Sequence, residues 1–202
     1  MITGRTTPRS GVSPSISRLS VEGWEAWHFG FDGGPPPCSA QADFAHAGDG
    51  QASRDTGALP SYVPARFRDA LARSSARHGV SASLLAAQLM AESNFKPFAV
   101  SPAGARGIAQ FMPATAAAYG LGDPFDPAAS IDAQADLMSD LLRQFGQVPL
   151  ALAAYNAGPA QVLACDCVPA YLETQAYVTR ILGLLGGVGA IAPPGLEVRL
   201  IG

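Results

Sequence analysis

The chain has 202 residues, 48% of them hydrophobic and 14% charged, with a formal net charge of -3. That is enough length for one full domain plus extra chain, and it offers no basic face for nucleic acid. No apolar run approaches the roughly 20 residues a bilayer span needs, and residues 1–20 lack the continuous apolar core of a secretory signal, so the sequence predicts no membrane span and leaves the export route open.

Residues 1–61 are rich in Gly, Pro, Ser and Ala and include Pro35-Pro36-Pro37. Such composition buries too little apolar surface to offset chain entropy, which predicts a linker or disordered segment. From Tyr62 the pattern becomes helical. Phe67, Ala70, Leu71 and Ser74 mark one face of a first helix, with Arg66, Asp69, Arg73 and Arg77 on the other and Gly79 as its stop. Ser81 is placed to cap a second helix whose apolar side is Leu84, Leu85, Leu89 and Met90.

A Pro- and Gly-punctuated loop follows over 97–107, then a short helix opened by Pro113 and ending at Gly120. A longer helix is predicted from Pro127 to Phe145, with Ile131, Ala135, Met138, Leu142 and Phe145 in period. Asp132, Asp136 and Asp140 recur on a neighbouring stripe and are expected to face solvent. Further helices are predicted over about 149–156 and 173–185. The reading is an all-α domain over 62–186, followed by a flexible tail over 187–202.

The three cysteines, Cys38, Cys165 and Cys167, match no common zinc spacing. They are expected to be thiols with a local structural role, the alternative being a disulfide that includes Cys165 or Cys167. No metal and no cofactor are predicted.

Glu92 ends the second helix three residues after Leu89 and seven after Leu85, so it shares their buried face. A carboxyl against apolar side chains has its charged form disfavoured and its pKa raised, the condition for a general acid near neutral pH. Spacing alone equally allows a helix-terminal glutamate that points to solvent or caps a loop.

Four motifs in order add to this. Glu92-Ser93, with Ser101 and then Gly104 to Pro113 (GARGIAQFMP), resembles the signature of the soluble lytic transglycosylases. Ala154-Tyr155-Asn156-Ala157-Gly158 is similar to that family's A-Y-N-A-G motif, and Glu173-Thr174-Gln175-Ala176-Tyr177-Val178 to its E-T-x-x-Y-V motif. The resemblance implies a lysozyme-like helical fold acting on the glycan strands of peptidoglycan at the cell wall. Glu92 would be the only catalytic acid/base, cleaving between N-acetylmuramic acid and N-acetylglucosamine and leaving 1,6-anhydromuramoyl ends. Ser101 and Gln110 would hydrogen-bond sugar groups, and Met112 would form part of an apolar cleft wall. Tyr155 would steer the carboxyl and Asn156 would hold backbone or substrate, while Glu173 and Tyr177 would close the far side of the cleft.

This chain has Ile108-Ala109 where the family usually has Leu-Met, and Cys165-Asp166-Cys167 where relatives often turn on glycine or proline. After Glu92 the next acid in the chain is Asp123, whereas ordinary glycosidases use two carboxyl groups; that favours the lone-carboxylate scheme. Asp123 and Asp126 are expected to do turn and cap work, leaving a muramidase-type hydrolase using one of them as the alternative. A non-catalytic glycan-binding module of a phage tail or conjugation apparatus is the reading from another class. A larger cell-wall-degrading, secretion or virion assembly is the expected setting. Glu25-Ala26-Trp27-His28-Phe29 faintly resembles the last motif of zinc D-alanyl-D-alanine carboxypeptidases, which suggests the remnant of a peptidase domain. One histidine cannot hold catalytic zinc.

Overall fold

The structure is a computed structural model that describes residues 59–186. The expectations for the first segment, for Cys38, for Glu25 to Phe29 and for the tail lie outside the described residues. Seven α-helices are present among those residues: α1 Ala65–His78, α2 Ala82–Glu92, α3 Pro113–Ala118, α4 Pro127–Phe145, α5 Val148–Ala157, α6 Pro159–Cys165 and α7 Leu172–Leu184. Extended pairing among them is limited to isolated bridges joining Val100 to Arg106 and Arg106 to Phe111.

The helix ends follow local chemistry. Gly79 closes α1 in the left-handed region (φ 69°), its N–H bonding the Ser75 carbonyl, a conformation that costs glycine nothing. Ser81 Oγ accepts from the Leu84 N–H at the start of α2. The Asp126 carboxylate accepts from the N–H groups of Ala128 and Ala129 and starts α4.

Two helices form the centre. In α2, Leu84 to Leu89 are buried without interruption, and in α5 Ala151 to Tyr155 are. A helix that is apolar on most sides belongs in the interior. α5 packs on α4, α6 and α7, while α2 touches α1, α7 and α4. The alanines of α5 let its neighbours approach closely. Each large aliphatic side chain buried here, Leu71, Leu85, Leu152 and Ile181 among them, contributes about 1.5–3 kcal/mol.

Two expectations are corrected, and one element is added to those the sequence predicts. The acidic stripe of α4 is paired and only partly solvated, the side chains of Asp132 and Asp136 being 33% and 32% exposed. Asp132 accepts from Ser74 Oγ (3.0 Å) and Arg77 Nη1 (2.7 Å) and meets His78 Nε2 at 3.2 Å, while Asp136 meets His78 Nδ1 at 3.5 Å. Asp140 is buried and accepts from Tyr119 Oη and from Arg143. Asp132 and Asp136 lie along the α1–α4 seam, where the polar edge of α1 supplies donors, whereas Asp140 is served from Tyr119 and from α4 itself. Next, Cys165 and Cys167 form a disulfide with Cα atoms 5.2 Å apart, inside the span of about 4.4–6.8 Å such a bridge needs, rather than standing as thiols. Finally, the segment after Gly158 contains α6, too short to show a period in the sequence.

Candidate active site

α2 stops abruptly after Glu92. Ser93 Oγ donates to the Ile108 carbonyl (2.7 Å) and accepts from the Lys96 N–H (3.1 Å). Asn94 and Phe95 take positive φ, 52° and 58°, which costs non-glycine residues about 1–2 kcal/mol each. Burial of Phe95, stacked on Phe67 with ring centroids 6.0 Å apart, offsets that cost. The turn that presents Glu92 is therefore locked from beneath.

The loop over 97–112 lies against this turn. Arg106 and Phe111 exchange backbone hydrogen bonds of 2.9 Å, and the Gly107 N–H reaches the Ala99 carbonyl. Gly107 has φ 79°, and a Cβ there would lie 1.8 Å from the Pro124 carbonyl oxygen, so only glycine fits. Gln110 also has positive φ (52°). Its Nε2 donates to the carbonyls of Gly107 (2.8 Å) and Ala99 (3.3 Å). With both amide hydrogens spent, the group Gln110 can offer a ligand is its acceptor oxygen. Ser101 Oγ accepts from the Ala105 N–H (3.0 Å) and keeps its own hydrogen to donate.

A cleft of about 320 Å³ opens over Glu92, lined also by Ser101, Gln110, Asn156, Glu173, Tyr177 and Arg180. Six of the eight residues singled out from the sequence thus meet in one place. Met112 and Tyr155 stand elsewhere, in the core. Met112 is the N-cap of α3 and packs behind the wall. Tyr155 donates its hydroxyl to the Ala109 carbonyl (3.0 Å) and sets its ring edge-on to Phe111. Burial raises its pKa well above the ordinary value, and the nearby Glu92 charge adds to the rise. Asn156 Oδ1 accepts from Thr174 Oγ1 (2.7 Å), leaving its amide hydrogens as what it can offer. Asp123 and Asp126 do turn and cap work, Asp123 accepting from the Phe125 N–H, and neither lines this cleft.

Glu92 as a residue is half-buried, but its Oε1 is shielded from solvent and has no hydrogen-bond partner. Burial pushes its pKa from 4.5 up to about 8; a hydrogen bond from Tyr177 pulls the other way, and the Glu173 charge adds to the rise. At neutral pH the carboxyl is therefore mostly protonated. Burial likewise raises the Tyr177 hydroxyl well above its ordinary range, so it stays a donor.

The direction of that hydrogen bond follows from residues the sequence reading missed. The Leu85 carbonyl can only accept, so the Gln134 atom facing it at 3.4 Å is Nε2. The same nitrogen meets Gln88 at 3.3 Å, which must present Oε1. Gln88 Nε2 then faces Tyr177 Oη at 3.4 Å. The hydroxyl has one hydrogen, and the only direction left for it is Glu92. Gln88 and Gln134 are fully buried; a polar residue inside the apolar run of α2 was the signal available. Arg180 was also missed, although 173, 177 and 180 recur at helical spacing. Among the described residues no cluster of three or more His, Cys, Asp or Glu is suited to a metal ion.

The helical domain thus holds a carboxyl raised out of its ordinary range at the floor of an open cleft. Residues 69–165 match the family model of the Transglycosylase SLT domain. The chain is 34% identical over 93 residues to a transglycosylase of Enterobacteria phage PRD1, covering 46% of this chain and 35% of the relative. It is 34% identical over 104 residues to membrane-bound lytic murein transglycosylase F of Desulfosudis oleivorans, covering 48% and 23%. The chain spans about a third or less of the length of these relatives. Among solved structures, an inactive Glu-to-Gln mutant of the lytic transglycosylase Slt from Pseudomonas aeruginosa aligns with TM-score 0.51 and 28% identity, over 60% of this chain and 23% of that one. The 70 kDa soluble lytic transglycosylase of Escherichia coli shares the fold, with TM-score 0.52 and 24% identity over 60% and 24%.

Proposed function

We propose that this chain is a peptidoglycan lytic transglycosylase with Glu92 as its acid/base. The observation that carries the reading is the Glu92 carboxyl itself: protonated near neutral pH, with Oε1 unpartnered, at the floor of a cleft edged by sugar-type hydrogen-bonding groups. Protonated Glu92 gives its proton to the glycosidic oxygen between N-acetylmuramic acid and N-acetylglucosamine. As carboxylate, steadied by the Tyr177 hydroxyl, it then takes the proton from the muramoyl C6 hydroxyl, and that oxygen closes on C1 as the 1,6-anhydro ring. The substrate's own N-acetyl group supports the oxocarbenium-like intermediate. Ser101 donates, and Gln110 and Asn156 complete the polar edge.

The names of the relatives support murein as substrate, and the inactive Glu-to-Gln form of the Pseudomonas protein supports a single essential glutamate. A site of action at the cell wall, outside the cytoplasm or on a virion, follows from the substrate, and a phage transglycosylase is among the relatives. No helix among the described residues is long and apolar enough to cross a membrane.

One observation favours a hydrolase as second reading: Glu173 puts another carboxylate in the same cleft, and two carboxyl groups flank the bond in ordinary glycosidases. Mass spectrometry of digested cell walls separates the two. Anhydromuropeptides, lost in Glu92→Gln and retained in Glu173→Gln, are expected; hydrated reducing ends that vanish with either variant would establish the hydrolase. Binding without release of any product would leave a glycan-binding module.

A further inference from the structure

The glycan cleft leaves the motif Glu25 to Phe29 and its surroundings without a role. Between Arg18 and Arg54 the sequence holds no Lys or Arg, yet it holds Glu22, Glu25, Asp32, Asp43 and Asp49. Three of those acids fall within residues 22–32, interleaved with Trp24, Trp27, Phe29 and Phe31. These residues precede the described ones, and the chain enters the domain at Leu59 and Tyr62, which pack against the core ahead of α1.

α1 carries the matching chemistry. Arg66, Arg73 and Arg77 are spaced by seven and four residues and share one stripe. A groove of about 230 Å³ between α1 and α4 has Ala70, Ala128 and Ala129 as small apolar walls, with Arg73, Arg77 and Asp132 as its charged groups. Asp132 is already matched within the seam by Arg77, Ser74 and His78. Arg73 is exposed and enters no ion pair among the described residues, whereas Arg77 and Arg143 each have an aspartate.

An acidic, aromatic segment fits such a groove: rings suit small-residue walls and guanidinium faces, and carboxylates suit the guanidinium fork. We propose that residues 22–32 of the same chain dock in the α1–α4 groove, with an indole ring against the alanines and Glu22 and Glu25 at Arg73. The roughly 27 residues from Asp32 to Leu59 extend to at most about 90 Å. Arg73 stands only about 12 Å along α1 from Ala65, so the segment reaches the groove. The tether also makes the contact intramolecular, at an effective concentration on the order of 1 mM, where modest affinity suffices. The groove shares no lining residue with the Glu92 cleft. Docking therefore leaves the cleft open, and the proposal stands apart from the glycan-cleaving reading.

Trp24 and Trp27 are the two tryptophans of the chain, so tryptophan emission of the full chain reports this segment alone. Wild type is expected to resist acrylamide quenching about threefold better than a peptide of residues 20–33, with the protection shrinking as salt is raised to about 1 M. Arg73→Glu is expected to bring quenching to the level of the peptide while the unfolding midpoint stays nearly unchanged. Adding Glu22→Arg and Glu25→Arg to that variant should restore protection. Quenching of wild type at the level of the peptide would overturn the proposal, and so would protection that Arg73→Glu leaves intact. Protection lost on dilution, together with a dimer in sedimentation, would place the segment on a second copy and overturn the intramolecular contact.

Discussion

The two walls of the cleft reach Glu92 by different means. On the α2 side, Glu92, Ser101 and Gln110 hang from irregular backbone: positive φ at Asn94, Phe95 and Gln110, a glycine pressed on the Pro124 carbonyl, and main-chain bonds across the loop. On the α7 side, Glu173, Tyr177 and Arg180 stand on a regular helix, and the heads of Tyr177 and Arg180 are positioned by groups from α2. The family match covers the first wall and ends at residue 165, before α7 begins. The first wall holds the reacting carboxyl, and strain stored there is repaid by the core beneath it. The second sets the charge and hydrogen bonding that the carboxyl experiences, and side-chain changes there cost little backbone.

If that division is right, the walls should fail differently. The largest effect is expected from Gly107→Ala, where a methyl meets a carbonyl oxygen and φ is positive: about 3 kcal/mol or more lost from stability, read as a lower unfolding midpoint. Glu92→Gln should do the reverse. Glu92 is protonated in both states below about pH 4.5, and the folded pKa is near 8, so wild type loses stability as pH rises through that window. The variant should match wild type at pH 4 and exceed it by up to a few kcal/mol above pH 8, measured by denaturation across pH.

On the second wall the expected effects are on titration. Tyr177→Phe removes the bond that holds the Glu92 pKa down, so the alkaline limb of the pH–rate profile should move to higher pH, with rate falling about tenfold, roughly 1.4 kcal/mol. Smallest is Gln88→Leu, which frees the Tyr177 hydroxyl to turn. It should shift the same limb in the same direction by less, with KM unchanged. An unmoved limb in both variants would break the distinction between the walls.

Much of the fold was legible because helix signals are local. Ser81, Gly79, Asp126 and the period of α4 mark their own elements, and α4 begins and ends where its pattern does. The acidic stripe misled because periodicity reports which residues share a face and not what packs on it; His78, Ser74 and Arg77 come from another helix. Met112 and Tyr155 were legible as part of the site's motifs, but their burial behind the cleft depends on how α3 and α5 enter the core.

By itself the sequence determined the helices, their caps, and the placing of one carboxyl at the end of an apolar helix, since each depends on residues a few positions apart. Only the tertiary structure decided that Glu173 shares the cleft of Glu92, that Tyr177 supplies the hydroxyl meeting it, and that Gln88 and Gln134 aim that hydroxyl. A pKa is set by everything within a few ångström, and those neighbours come from parts of the chain some 40 to 90 residues apart.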